Sequence, residues 1–311
     1  MTTEFSHHAV LKGEAVQALN IRPNGIYVDA TFGRGGHSAA IMSSLGVAGR
    51  LIAMDRDPEA ERIAKFRFGS DARFTFERID FGRLLQVTDK HDVTGQVQGL
   101  LLDLGVSSPQ LDDPNRGFSF LRSGPLDMRM DPDRGQSAAQ WLAGATEEEI
   151  SGALCQLGEE RFHRRVARNI VKAREAAPII STVHLAQIIA DAIPTRERSK
   201  HPATRSFLAI RMFVNHELEE LRAVLEQALD VLAPYGRLVV ISFHSVEDRI
   251  VKRFLRKQAR ALEPPLDLPV PAGECGGTLR VLGRARRASE SEVAVNPRAR
   301  SALLRVAERS P

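Results

Sequence analysis

Three glycines between a short apolar strand and a helix, with a carboxylate at the tip of the next strand, are the residues here best suited to chemistry. They lie in Tyr27-Val-Asp-Ala-Thr-Phe-Gly-Arg-Gly-Gly-His37 and at Asp55, which closes the following apolar run. Glycines let a backbone approach a ligand, and an acid at the second strand end holds ribose hydroxyls, which is how an open α/β sheet builds a nucleotide-shaped pocket. A dinucleotide fingerprint wants G-x-G-x-x-G, whereas Gly33, Gly35 and Gly36 are followed by His37 and Ser38. Asp55 stands 20 positions after Gly35, a spacing that suits the adenosine ribose of NAD or of S-adenosylmethionine alike. The missing third glycine weighs against NAD, and no G-x-x-x-x-G-K-[ST] loop is present for a nucleoside triphosphate.

A second motif, Asp103-Leu-Gly-Val-Ser-Ser-Pro-Gln110, adds a carboxylate at the end of a fourth strand and a stiff Ser-Pro turn just beyond it. Such a turn presents carbonyls and hydroxyls at fixed positions. Methylation of a nucleobase amine needs groups of that kind, because the amine lone pair is delocalised into the ring and N–H acceptors must localise it. The rest of the task is alignment, worth roughly 7 kcal/mol in favourable cases. A turn that merely caps the following helices is the competing reading.

The elements that must position these groups follow from periodicity. Strands are expected at Ile26–Phe32, Arg50–Arg56, Phe74–Phe81 and Val97–Gly105, with a helix from about His37 and Pro58 in the first turn of another. The run Gly99-Leu-Leu-Leu-Asp-Leu104 is apolar without alternation, as in a strand buried on both faces of a parallel sheet. From Pro109 to Pro202 no convincing strand is found. Helical stretches occupy it, including one capped by Thr146 with Glu149 three residues on. A long amphipathic helix over Ser206–Leu232 precedes a strand at Arg237–Phe243, a helix at Val246–Gln258, a proline-rich loop over 263–277 and strands near Thr278–Leu282 and Ser301–Ala307. The economical organisation is an α/β sheet domain, 1–110 with 203–311, interrupted by an all-helical insertion at 111–202.

Composition sets the limits. The chain has 311 residues, 43% hydrophobic and 26% charged, with two cysteines and a net charge of +4. Cys155 and Cys275 flank no Cys/His cluster, so neither a disulfide framework nor a metal site is expected. Cys155 sits in a helical pattern with Ile150, Leu154 and Leu157 and reads as buried filler. No run approaches the ~18 apolar residues of a membrane span, and the first residues lack a basic start followed by an apolar stretch, so a cytoplasmic protein is expected. Residues 249–311 hold 14 Lys/Arg against 6 Asp/Glu, a balance of +8, leaving 29 against 33, or −4, elsewhere. A basic end on a near-neutral body points to a polyanionic partner. A second cationic surface is expected on the insertion, where Arg161, Arg164, Arg165, Arg168 and Lys172 recur at helical spacing opposite Phe162, Val166, Ile170 and Val171. Trp141 reads as a packing anchor rather than an RNA-stacking ring.

Taken together, Val28-Asp-Ala-Thr-Phe-Gly-Arg-Gly-Gly-His37, Asp55-Arg-Asp-Pro58, Asp103-Leu-Gly-Val-Ser-Ser-Pro-Gln110, Gly124-Pro-Leu-Asp-Met-Arg-Met-Asp131, His201-Pro-Ala-Thr-Arg205, Ile241-Ser-Phe-His-Ser-Val-Glu-Asp-Arg249 and Asn296-Pro-Arg-Ala-Arg300 resemble the bacterial RsmH (MraW) family, in order and over nearly the whole chain. The resemblance implies a class I S-adenosylmethionine-dependent methyltransferase, a Rossmann-like sheet with a helical insertion after the fourth strand. It implies transfer to N4 of cytosine 1402 in 16S ribosomal RNA of the small subunit. It assigns cofactor contacts to Gly35, Gly36, His37, Asp55, Phe81, Asp103 and Gln110, with Phe81 ending the third strand beside the adenine. Asp103 takes a dual role, serving the cofactor and the target amine, and Ser107 or Ser108 positions the cytosine. No metal, membrane or nucleophilic cysteine is called for, and a homodimer is left open. His37, His201 and His244 are acid/base candidates by residue type, and turn histidines are commonly structural. The rivals are a methyltransferase of another nucleic-acid amine, a non-catalytic RNA-binding assembly factor, and an NAD oxidoreductase.

Overall fold

The computed structural model describes residues 9–194, 201–260 and 277–311. Cys275 and nearly all of the proline-rich loop lie outside the described residues. The chain divides into two compact units, Met1–Gly105 with Glu219–Pro311, and Val106–Leu218.

The first unit opens with α1 (Lys12–Leu19), β1 (Ile26–Asp29), α2 (Gly36–Ser44), β2 (Arg50–Asp55), α3 (Pro58–Phe68), β3 (Phe74–Arg78), α4 (Leu84–Lys90) and β4 (Val97–Asp103). These are βαβ units in which β1 pairs in parallel with β2 and β4, and β2 with β3. The start of α3 shows the local logic: Asp57 accepts the Glu59 N–H at 2.9 Å, and Pro58 occupies a position where a missing N–H costs nothing.

The second unit is helical: α5 (Ser108–Asp112), α6 (Ala138–Gly144), α7 (Glu147–Gly158), α8 (His163–Ala176), α9 (Thr182–Ala192) and α10 (Thr204–Val214). Thr146 caps α7 as expected, its hydroxyl accepting the Glu149 N–H at 3.1 Å. Among its described residues there is no strand, only a bridge between Pro125 and Ser181. Its seams lie elsewhere than expected. Phe207, Ala209 and Ile210 of α10 pack into the same apolar cluster as Ile150, Leu154 and Val166, so 203–218 goes with the helices rather than with the sheet.

The expected single helix over Ser206–Leu232 is two, α10 and α11 (Glu217–Val231). The break falls at Asn215, whose amide donates to the Arg211 carbonyl at 2.9 Å and the Met128 carbonyl at 2.7 Å, followed by His216 at φ +51°. Side-chain amides that bond local carbonyls compete with the helical ladder. Cys155 is exposed, not buried, because it falls one position outside the Ile150, Ala153, Leu154, Gly158 stripe of α7. Trp141 is buried and stacks on Phe213 at 4.1 Å, the anchor its sequence context suggested.

The chain returns through α11 to β5 (Leu232–Ser242), α12 (Ser245–Ala259), β6 (Leu279–Val281), β7 (Arg286–Arg287), α13 (Glu290–Val295) and β8 (Leu303–Arg309). The sheet order is β3-β2-β1-β4-β5-β8-β6, with β7 also on β8. β5 is parallel to β4, while β8 runs antiparallel between β5 and β6. Leu232 already pairs with Val97, and residues 233–236 bulge before the main register, with Tyr235 at φ +64°. Leu100, Leu102 and Val240 face α11 and α12, whereas Leu101, Val239 and Ile241 face α1 and α2. Burial on both faces is why β4 reads as an unbroken apolar run.

Candidate active site

β1 ends at Asp29, and the chain turns through Gly33 and Gly35, at φ +53° and +71°, into α2. Glycine adopts these angles without steric cost. A Cβ on Gly35 would stand 2.6 Å from Phe32 Cζ. The loop thus rests on an aromatic cluster, since Phe32 packs against Phe68, Phe74 and Phe76. A Cβ on Gly36 would likewise meet that of Ala9 at 2.8 Å. Thr31 ties the loop to the neighbouring strand, its hydroxyl accepting the Asp103 N–H at 2.6 Å.

Asp55, at the tip of β2, anchors the glycine turn. Its Oδ2 accepts the Gly33 N–H at 2.7 Å and its Oδ1 the Asp57 N–H at 2.9 Å. Burial raises its pKa, and these two donors oppose that rise. His37 lies in the first turn of α2, buried, with Nε2 3.1 Å from the Val10 carbonyl. A carbonyl only accepts, so Nε2 carries the hydrogen and Nδ1 presents its lone pair. Burial lowers His37 to about 4, which keeps the ring neutral at neutral pH. Its Nδ1 stands 3.5 Å from Asp103 Oδ2, a contact that is therefore not an ion pair.

Asp103 ends β4 as expected, and its carboxyl has an unusual setting. About a quarter of the side chain is exposed (23%), yet Oδ1 is buried and meets no hydrogen-bond partner among the described residues. Burial pushes its pKa well above the ordinary value, and the nearby charges of Asp29 and Glu247 push the same way. Glu247 itself accepts the N–H groups of Phe243 and His244, both at 3.0 Å, where β5 gives way to α12.

Asp29 carries no sequence-based role, although it sits inside the first motif. It is 0% exposed and accepts the Ser38 hydroxyl at 2.7 Å and the Thr31 N–H at 3.2 Å. An acid beside a glycine turn is the available signal. Burial raises Asp29 to about 6. The folded chain then holds this proton more tightly than the unfolded one. The associated stability is complete below about pH 4 and is lost as pH rises through about 6, an effect of about 3 kcal/mol. Asp29→Asn should flatten that decline. Urea titrations of both proteins at pH 4.5, 6 and 8 check it, and parallel pH profiles would refute it.

Several other candidates carry structural duties. Phe81 does not end β3, which stops at Arg78. The Asp55 carbonyl accepts the Ile79 N–H, and Phe81 opens a 3₁₀ turn, with the Arg56 guanidinium 5.8 Å from its ring centroid. Ser107 precedes α5 and Ser108 begins it, within the helical unit, where the Gln110 side-chain carbonyl accepts the Ser107 N–H at 2.8 Å. Gln110 is thus a capping residue. His201 accepts the Ala203 N–H at 3.2 Å and packs on Phe120, and His244 caps α12. On α8, Arg164, Arg165, Arg168 and Lys172 are exposed, as is Arg161 just before it, while Val166 and Ile170 are buried, matching the expected two faces.

Residues 4–310 match the MraW methylase family. The chain belongs to the MraW methylase family. It is 62% identical over 305 residues to the ribosomal RNA small subunit methyltransferase H of Thioalkalivibrio sulfidiphilus, covering 98% of this chain and 97% of that one. It is 53% identical over 308 residues to the enzyme of the same name from Alteromonas mediterranea, covering 98% of each. A solved rRNA methylase from Streptococcus thermophilus aligns with 96% of this chain and 94% of its own, at 11% identity and a TM-score of 0.42.

This MraW methylase has the class I, Rossmann-like methyltransferase sheet, and its cofactor is S-adenosylmethionine. The residues at the strand ends fit that group. A buried, unpaired carboxyl oxygen with two further carboxyls nearby offers negative potential to a ligand bearing a sulfonium and an ammonium. No described helix is long and apolar enough to cross a membrane, and the described residues contain no cluster of His, Cys, Asp or Glu suited to a metal.

Proposed function

We propose that this methylase modifies the N4 exocyclic amine of a cytosine, position 1402, in 16S ribosomal RNA of the small subunit. The observation that carries the chemistry is Asp103: a carboxyl at the end of β4 whose Oδ1 is shielded from water and unmatched by any donor among the described residues. An N–H of an exocyclic amine is such a donor. The names of the curated relatives at 62% and 53% identity support the ribosomal target.

In this reading Gly35, Gly36 and His37 line the cofactor's methionine part, Asp55 its ribose and Phe81 its adenine, with Gln110 a further contact. Bound S-adenosylmethionine supplies an electrophilic methyl group. Asp103 accepts an amine N–H, which draws the nitrogen lone pair out of the ring. Once alkylated, the amine is strongly acidic, and a carboxylate whose own pKa is raised is well matched to receive the proton. Neutral His37 keeps Asp103 from being neutralised by a standing positive charge. Ser107 and Ser108 hold the cytosine, and the cationic face of α8 grips phosphates without reading sequence. The protein acts in the cytoplasm, where the small subunit is assembled.

The test is direct. Mass mapping of 16S RNA from cells lacking this protein should show one methyl group missing from a cytosine amine, restored by the wild-type gene. An unchanged methylation map would overturn the assignment.

A further inference from the structure

We propose that Arg284, Arg286, Arg287 and Arg300 form a phosphate-binding rim at the carboxyl end of the sheet, seating the RNA strand that flanks the target nucleotide. The inference rests on the proposed RNA substrate and adds where, on the sheet unit itself, that substrate is held.

Strand register carries it. Asp103 of β4 pairs with Ile241 of β5, Ile241 with Leu304 of β8, and Leu304 with Arg286 of β7. Arg286 therefore lies in the same row as Asp103, three strands away, or roughly 14 Å at the usual ~4.8 Å spacing. That is no more than about four nucleotides of a stacked strand at 3.4 Å rise. Arg287 pairs with Leu303 at the start of β8, just after the Pro297–Ser301 turn that carries Arg300.

β6 and β7 are two pieces of one edge strand, both antiparallel to β8 and interrupted at Gly283, φ +72°. Their charges are handled differently. At the β6 end Arg280 is paired with Glu308, which also pairs with Arg237 at 2.9 Å. At the β7 end Arg284, Arg286, Arg287 and Arg300 are exposed, with no ion pair or hydrogen bond from their side chains among the described residues. The nearby Glu292 is committed to the Leu11 N–H at 2.7 Å, leaving Glu290 as the other acid of α13. An edge strand uses arginine to repel a second strand, but that purpose would not confine unpaired charge to the end of the strand nearest Asp103. A chain of phosphates is the complement that such a rim fits.

The experiment uses the full-length protein, methyl-labelled S-adenosylmethionine and small subunits from cells lacking the protein. Arg286→Glu with Arg287→Glu should raise KM for subunits about tenfold or more, with kcat within about twofold. S-adenosylmethionine affinity and melting temperature should stay as in the wild type, and the salt dependence of RNA association should weaken by a slope of roughly 1.5 for two lost phosphate contacts. Arg286→Lys with Arg287→Lys should restore most of the KM. Unchanged KM and salt slope in the glutamate variant, with wild-type activity intact, would overturn the rim, and new self-association would then mark these arginines as edge protection. Failure of the wild type to methylate the subunit would refute the RNA substrate instead, so the two failures are distinguishable.

Discussion

Asp103→Asn should cost methyl transfer about a hundredfold or more, and Asp103→Ala about a thousandfold, while neither lowers the melting temperature. The two halves of that expectation come from one observation. A buried Oδ1 without a hydrogen bond is costly to the folded state, and so is a carboxyl crowded by Asp29 and Glu247. The strand end is held by the backbone N–H of Asp103 donating to Thr31 rather than by this charge. Asparagine keeps the shape and one acceptor but loses the charge that attracts a cationic ligand and the ability to take a proton. Cofactor affinity should therefore fall as well, by about tenfold. Turnover within threefold of wild type would remove Asp103 from the chemistry. A fall of several degrees in melting temperature would show instead that the carboxyl is structural.

Much of this site was legible because its residues are tied to element ends that periodicity reveals. Asp55 and Asp103 close apolar runs, and strands do end there. The glycine turn announces itself by composition, although what Gly35 chiefly makes room for is the Phe32 ring, a contact that no local pattern encodes. Phe81 falls outside β3 because the apolar character of Phe74–Phe81 continues past the last paired residue, and strand ends are set by pairing with β2 rather than by hydropathy. The partition of α10 was hidden for a similar reason. An amphipathic stripe runs through Asn215 in sequence, but that side chain bonds to Met128 and Met130, 87 and 85 residues away. The role of Asp29 is not legible because a carboxylate in a strand gives no sign from sequence that it is buried and paired with Ser38.

Gly35→Ala should destabilise the protein by about 2–5 kcal/mol and weaken cofactor binding at least tenfold. Two costs add: about 1–2 kcal/mol for a side chain in the left-handed region, and about 1–3 kcal/mol for forcing a Cβ against a packed ring. Phe32 has nowhere easy to go, since its ring is 5.4 to 6.1 Å from those of Phe76, Phe74 and Phe68. The loop must give way instead, and with it the Gly33 N–H that Asp55 holds. Two further variants separate the costs. Gly35→Asn tolerates the backbone angle better yet keeps the collision, so it should recover only part of the loss. Phe32→Leu makes space, so Gly35→Ala combined with Phe32→Leu should lose measurably less than the sum of the single changes. Urea titration gives the stabilities and calorimetry the affinities. Strict additivity of the pair would mean that the ring does not oppose the new methyl group, and the packing account of this glycine would then be wrong.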